Sequence, residues 1–102
     1  MREYKFKRGY EATPERLEEL IKKFFGEFKK EGDVYIVRFK AIEEMRLKLA
    51  NKKLIVESKT NPNVDEETAI ETIKTYNSFL NELTGYTAKE RKMHLMKEVE
   101  KM

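Results

Sequence analysis

The stretch that decides the fold is Ala41-Ile42-Glu43-Glu44-Met45-Arg46-Leu47-Lys48-Leu49-Ala50-Asn51-Lys52-Lys53-Leu54-Ile55-Val56-Glu57-Ser58-Lys59-Thr60. Residue propensities alone favour a helix over Ala41–Ala50, because alanine, glutamate, methionine, leucine and lysine are all good helix formers. The rival reading is a hairpin in which Asn51-Lys52 forms a two-residue loop, asparagine tolerating the positive φ of a tight turn. Charge decides between them. In the hairpin Leu49 opposes Leu54 and Leu47 opposes Val56, while Arg46 opposes Glu57 and Glu44 opposes Lys59. Apolar residues meet on one face and opposite charges on the other, as cross-strand energetics prefer. The stretch therefore reads as two antiparallel strands, 44–50 and 53–60.

Working toward the N-terminus, Tyr35, Val37 and Phe39 alternate with polar neighbours and predict a strand over 34–41. Gly32 marks a turn, and Phe28 belongs to a strand over 27–31. Thr13-Pro14 opens a helix over 14–25, with threonine as N-cap and proline at the first helical position. Its apolar stripe is Leu17, Leu20, Ile21, Phe24 and Phe25, and Gly26 suits the stop. Residues 2–8 alternate again, with Tyr4 and Phe6 inward, and Gly9 serves the chain reversal that follows. Toward the C-terminus, Asn63 or Asp65 starts a helix over 65–84, with Asp65, Glu66 and Glu67 in a first turn that suits the helix dipole. Ala69, Ile70, Ile73, Tyr76, Phe79, Leu80 and Leu83 form its stripe. After Gly85, the capping-box pair Thr87 and Glu90 predicts a last helix over 88–100. The order is β-α-β-β-β-β-α-α: an α+β domain with a five-stranded antiparallel sheet and helices packed on one face.

The 102 residues suit a single domain, 1–102, and 39% apolar content supplies one core. No cysteine is present, which excludes disulfides, thiolate metal sites and cysteine catalysis. The single histidine excludes any site that needs two imidazoles. No apolar run approaches a membrane span and the first residues lack a signal-peptide core, so a cytoplasmic protein is expected. Lysine and glutamate carry most of the 40% charged content while glutamine and tryptophan are absent, the usual composition of a thermophile.

Three stretches carry a resemblance: Lys52-Lys53-Leu54-Ile55-Val56-Glu57, Tyr76-Asn77-Ser78-Phe79-Leu80 and Thr84-Gly85-Tyr86-Thr87-Ala88-Lys89-Glu90-Arg91. In these the chain resembles an archaeal family of short proteins that is described as a domain of unknown function. The element order also resembles one half of the TATA-binding protein, in which a curved sheet carries helices on its convex side. Neither resemblance implies an activity or a role for any residue.

Catalytic and metal chemistry find no foothold. Glu90, His94 and Glu98 share a helical face at metal-ligand spacing, yet a lone helix supplies neither a third element nor a pocket, and a solvated histidine between carboxylates is the simpler reading. The adjacent acid pairs Glu18-Glu19, Glu43-Glu44 and Glu66-Glu67 point apart and stay solvated. Arg8-Gly9-Tyr10-Glu11-Ala12 starts like an RNA-recognition pattern and then departs from it at Glu11. The four glycines of the chain cannot build a phosphate loop or a dinucleotide fingerprint. No catalytic residue, cofactor or metal is expected.

Charge distribution is more informative. Residues 34–60 carry seven basic and three acidic side chains, whereas residues 61–84 carry one basic and five acidic. A turn at Ile42-Glu43-Glu44 would set Arg38 against Lys48 and Lys40 against Arg46 on the outward sheet face. Like charges directly opposed are unfavourable unless an anion relieves them. Arg38, Lys40, Arg46 and Lys48, backed by Lys5 and Lys7, are thus the candidate contacts to nucleic-acid phosphates in a non-enzymatic binding module. Two alternatives stand beside this. A pocket between the long helix and the sheet would place Tyr76, Asn77 and Tyr86 around a small molecule, in a binder or an enzyme. The last segment, 88–102, would dock loosely or join another protein or a second copy through Met93, Met96, Val99 and Met102.

Overall fold

In the computed structural model, which describes residues 2–93, Asn51 and Lys52 both adopt positive φ (52° and 61°) and close the hairpin that the charge pattern demands. The elements run β1 (Arg2–Lys5), α1 (Pro14–Phe25), β2 (Lys29–Glu31), β3 (Val34–Phe39), β4 (Ile42–Ala50), β5 (Lys53–Thr60) and α2 (Glu66–Thr84). Residues 88–93 are again helical. The strands form one antiparallel sheet in the order β1-β5-β4-β3-β2. The β4–β5 register pairs Leu49 with Leu54, Leu47 with Val56, Arg46 with Glu57 and Glu44 with Lys59, so the cross-strand reading holds at every position it named.

The inward sheet residues Tyr4, Tyr35, Val37, Met45, Leu47, Leu54 and Val56 are buried against Leu17, Leu20, Ile21 and Phe25 of α1 and Phe79, Leu80 and Leu83 of α2. Phe25 meets Phe39 and Phe79 at ring-centroid distances of 5.2 and 5.0 Å, inclined rather than stacked, as aromatic quadrupoles prefer. Both helices therefore cover one face and, among the described residues, leave the other open. Thr13 caps α1 by accepting from the Arg16 N–H at 3.4 Å, with Pro14 at the first helical position.

Two features of the sequence reading are corrected. The β3–β4 turn lies at Lys40-Ala41, not at Ile42-Glu43-Glu44: Phe39 pairs with Ile42, and the register shifts between Val37 and Phe39. Burial sets the turn there. Ala41 and Ile42 are drawn into the core, and the Ala41 N–H donates to Thr72 Oγ1 of α2 at 3.2 Å. Consequently Lys48 faces Val34 and Arg46 faces Ile36, and the opposed pairs Arg38/Lys48 and Lys40/Arg46 do not form. The second correction concerns α2, where Ile70 and Ile73 lie outside the core, Ile73 at 59% exposure. Thr72 is buried in their place because its hydroxyl is fully engaged, donating to Thr68 O at 2.7 Å while accepting from Ala41.

β1 also ends earlier than the alternation suggests. The Lys7 N–H turns away from the sheet to donate to Thr84 O at 2.7 Å, and the chain leaves the ladder there. Thr87 and Glu90 form the reciprocal cap expected of them: the Thr87 N–H donates to Glu90 Oε1 and the Glu90 N–H to Thr87 Oγ1, each at 3.3 Å. Of the C-terminal stripe, Met93 is exposed, while His94, Met96, Glu98, Val99 and Met102 lie outside the described residues.

Candidate functional site

The antiparallel register fixes which side chains share the open face. One row reads Glu3, Ile55, Lys48, Val34 and Glu31; the next reads Glu57, Arg46, Ile36 and Lys29; a third, at the β1 end, reads Lys5, Lys53 and Ala50. Toward the β2 edge this face is electrically balanced. Its depression, about 500 Å³, is lined by the cations Lys29, Arg38 and Arg46 and by the carboxylates Glu27, Glu31 and Glu44. Arg46 Nε lies 3.4 Å from Glu44, and Glu57 stands opposite it. Lys40 sits in the β3–β4 turn and pairs with Glu71 of α2 at 2.6 Å. Of the six expected contacts, Lys40 and Arg46 are therefore engaged with carboxylates. Arg38, Lys48, Lys5 and Lys7 have no ion pair among the described residues.

Charge is uncompensated instead at one corner of the sheet. There Lys5 is directly opposed to Lys53, a like-charge pair that costs stability. Lys53 reaches Glu3 only at 3.9 Å. Next to this pair, Lys7, Arg8 and Lys52 line a second cavity of about 490 Å³, with Glu11 as its one carboxylate. The rest of that lining is Phe6, Gly9, Tyr10, Ala12 and Thr13. Five cations thus meet two carboxylates within a few residues of each other.

The loop that carries Lys7, Arg8 and Tyr10 is held in place from several sides. Gly9 supplies the positive φ (92°) of the reversal, and the Tyr10 N–H donates to Lys7 O at 2.9 Å. Arg16 of α1 donates to Glu11 O at 2.6 Å and to Leu83 O and Glu82 O at 3.2 Å each, so one guanidinium joins the loop to the carbonyl end of α2. The same guanidinium lies 5.7 Å from the centroid of the Tyr10 ring. That ring also lies on Gly85, where a Cβ would come within 2.6 Å of it. Tyr10 remains 41% exposed.

A different polar group occupies the junction between β1, α2 and the segment after Gly85. Arg91 is 8% exposed and donates to Asn81 Oδ1 at 2.8 Å, to Asn77 Oδ1 at 3.2 Å and to Tyr86 O. The Tyr4 and Tyr76 hydroxyls are 3.0 Å apart beside it. Burial holds the Arg91 guanidinium below its ordinary pKa, and no carboxylate opposes that. Burial, followed by the Tyr4 hydrogen bond, drives the Tyr76 phenol far above its ordinary value. Of the three groups expected to line a pocket, the Tyr76 hydroxyl meets Tyr4, the Asn77 side chain accepts from Arg91, and Tyr86 takes part through its backbone, its carbonyl accepting from Arg91 and its N–H donating to Thr84 Oγ1 at 3.3 Å.

Sequence reasoning set Lys5 and Lys7 behind the candidate surface, weighed Arg8 and Tyr10 only within an RNA-recognition pattern that it rejected, and did not bring Lys52 and Lys53 to this corner. The missing signal was the pairing of β1 with β5, which nothing local to either strand announces. Among the described residues no group of three or more acidic or histidine side chains is placed to hold a metal ion, and no helix is long and apolar enough to cross a membrane.

Comparison with known proteins agrees with this architecture. The family model of a domain of unknown function, DUF5611, matches residues 1–97. The NMR solution structure of a hypothetical protein from Thermoplasma acidophilum superposes with a TM-score of 0.65 at 30% sequence identity, covering 93% of this chain and 97% of that one. The comparison with curated proteins finds no match.

Proposed function

The chain belongs to the family of the domain of unknown function DUF5611, and from that premise we propose that it is a non-catalytic module that binds nucleic-acid phosphates through the basic corner of its sheet. The observation that carries this reading is the direct opposition of Lys5 and Lys53 beside Lys7, Arg8 and Lys52. A fold gains nothing from opposing two ammonium groups, whereas a polyanion laid across them converts that repulsion into attraction. Arg38 and Lys48, both exposed and unpaired among the described residues, extend the surface across the open face. Lys40 and Arg46 contribute less, since each already has a carboxylate. The element order's resemblance to one half of the TATA-binding protein fits this reading without assigning any residue to it.

Contacts to phosphate position a strand and read no sequence. Neutralising about three to five phosphates gives a log–log salt slope on the order of −3 to −4, hence weak binding at physiological salt. The test is a fluorescence-anisotropy titration with oligonucleotides at two salt concentrations. Lys5→Glu combined with Lys52→Glu should abolish binding at low salt, while Arg46→Glu alone should weaken it only slightly. Absence of binding at low salt, or indifference to the double reversal, would overturn the reading.

A further inference from the structure

We propose that the cavity at the basic corner receives an unpaired nucleobase, so that the site takes single-stranded nucleic acid in preference to duplex. This rests on the phosphate-binding reading above and names the form of nucleic acid that fits it. The depression on the open face and the cavity at the β1–α1 loop, beside the β4–β5 turn, differ in kind. The depression toward β2 has charged residues at six positions and balances them, whereas the corner cavity is lined by three cations, Lys7, Arg8 and Lys52, one carboxylate, Glu11, and otherwise by aromatic and small residues. Phe6 and Tyr10 supply the aromatic surface, and Gly9 and Ala12 leave room beside it. Its volume of about 490 Å³ falls in the range of small-ligand pockets and exceeds what one nucleobase needs.

Cations that track a backbone, set beside aromatic rings on which bases stack, are the two components of single-strand recognition. Tyr10 is suited to the second role. It is the exposed aromatic of this surface, and its ring is fixed against Gly85 and Arg16, so it loses little freedom when a base packs on it. The inward aromatics Tyr4 and Tyr35 are buried and offer no such surface. A paired base inside a duplex reaches a recess only after extrusion from its stack. The cavity therefore discriminates by strandedness, while the lysines and Arg8 are indifferent to it.

The experiment compares, with the full chain at one low salt concentration, a thymidine or uridine oligomer, a duplex of matched charge, and an abasic oligomer that keeps the phosphates and lacks the bases. The base-bearing single strand should bind about 5- to 150-fold more tightly than the abasic one, as expected for one stacked base. Tyr10→Ala should reduce that ratio to near one and leave the salt slope unchanged, and Tyr10→Phe should preserve it. Ring-proton shifts of Phe6 and Tyr10 in the wild-type protein on adding the oligomer provide a readout that needs no variant. Equal affinity for all three oligomers would overturn the base-binding inference and leave phosphate binding standing. No binding to any of them would overturn both.

Discussion

Arg91 and the Lys5–Lys53 corner are two ways of keeping a cation without a close carboxylate. Arg91 is buried, and its charge is spread over three neutral acceptors, two asparagine side chains and a backbone carbonyl. The corner lysines are solvated, and among the described residues Glu3 at 3.9 Å and the nearby Glu11 are the carboxylates that face them. A buried guanidinium that satisfies local acceptors holds the structure together: Arg91 ties the segment after Gly85 back onto α2. Exposed cations that repel each other contribute nothing to holding the fold together. Hydrogen-bond engagement, rather than charge alone, separates a cation that stabilises the fold from one that does not.

The largest expected effect probes the buried side. Arg91→Ala should destabilise the fold by about 2–3 kcal/mol, the worth of hydrogen bonds to a charged donor plus two amide acceptors left without it. Arg91→Lys should recover less than half, because a point charge cannot fork to Asn77, Asn81 and Tyr86 together. Chemical denaturation midpoints measure both.

Next comes alkaline pH. The Tyr76 phenol is raised in the folded state, so its contribution to stability is complete below about pH 10, where unfolded tyrosine keeps its proton. Above that the unfolded chain ionises first, and stability falls by about 1.4 kcal/mol per pH unit for as long as the folded phenol stays neutral. Tyr76→Phe should flatten this decline in a series of melts between pH 9 and pH 11, a window set by the ordinary tyrosine pKa of about 10.

On the exposed side the sign reverses. Lys5→Glu replaces a like-charge pair by an attractive one and should stabilise the protein by about 0.5 kcal/mol while weakening oligonucleotide binding. A variant that gains stability as it loses binding is the mark of a functional surface. Smallest of all is Lys40→Ala. Its pair with Glu71 is about half exposed, and removal should change the melting temperature by an amount near the detection limit, equivalent to about 0.5 kcal/mol or less.

Legibility followed local rules. The β4–β5 hairpin was readable because its turn carries a residue suited to positive φ and its charges test the register independently. The β3–β4 turn was not: Lys40 adopts positive φ (47°) with no residue-type signal, and what places it is the burial of Ala41 and Ile42 beneath α2. The same holds for Thr72, whose hydroxyl becomes acceptable in the interior only because two particular backbone groups of different elements meet it there. The candidate site divides along this line. Lys5 and Lys7 were visible as outward residues of a basic strand, but the partnership with Lys52 and Lys53 depends on β1 closing against β5 across about 50 residues of chain. Tyr10 was legible only as part of a failed motif, since the packing of its ring on Gly85 brings together residues 75 positions apart.

The strand order leaves β1 and β2 as the two edges of the sheet. An open edge presents unpaired backbone donors and acceptors, a template on which a strand from another molecule can grow. Both edges here are poor templates. β2 is three residues long, Lys29-Lys30-Glu31, every one charged and exposed, and β1 spans four residues of which three are charged. A second chain pairing with either would gain few ladder hydrogen bonds and would have to crowd its side chains against charged ones. The sheet thus resists edge-to-edge aggregation, and a concentrated solution should stay free of fibrils at temperatures where the fold is intact.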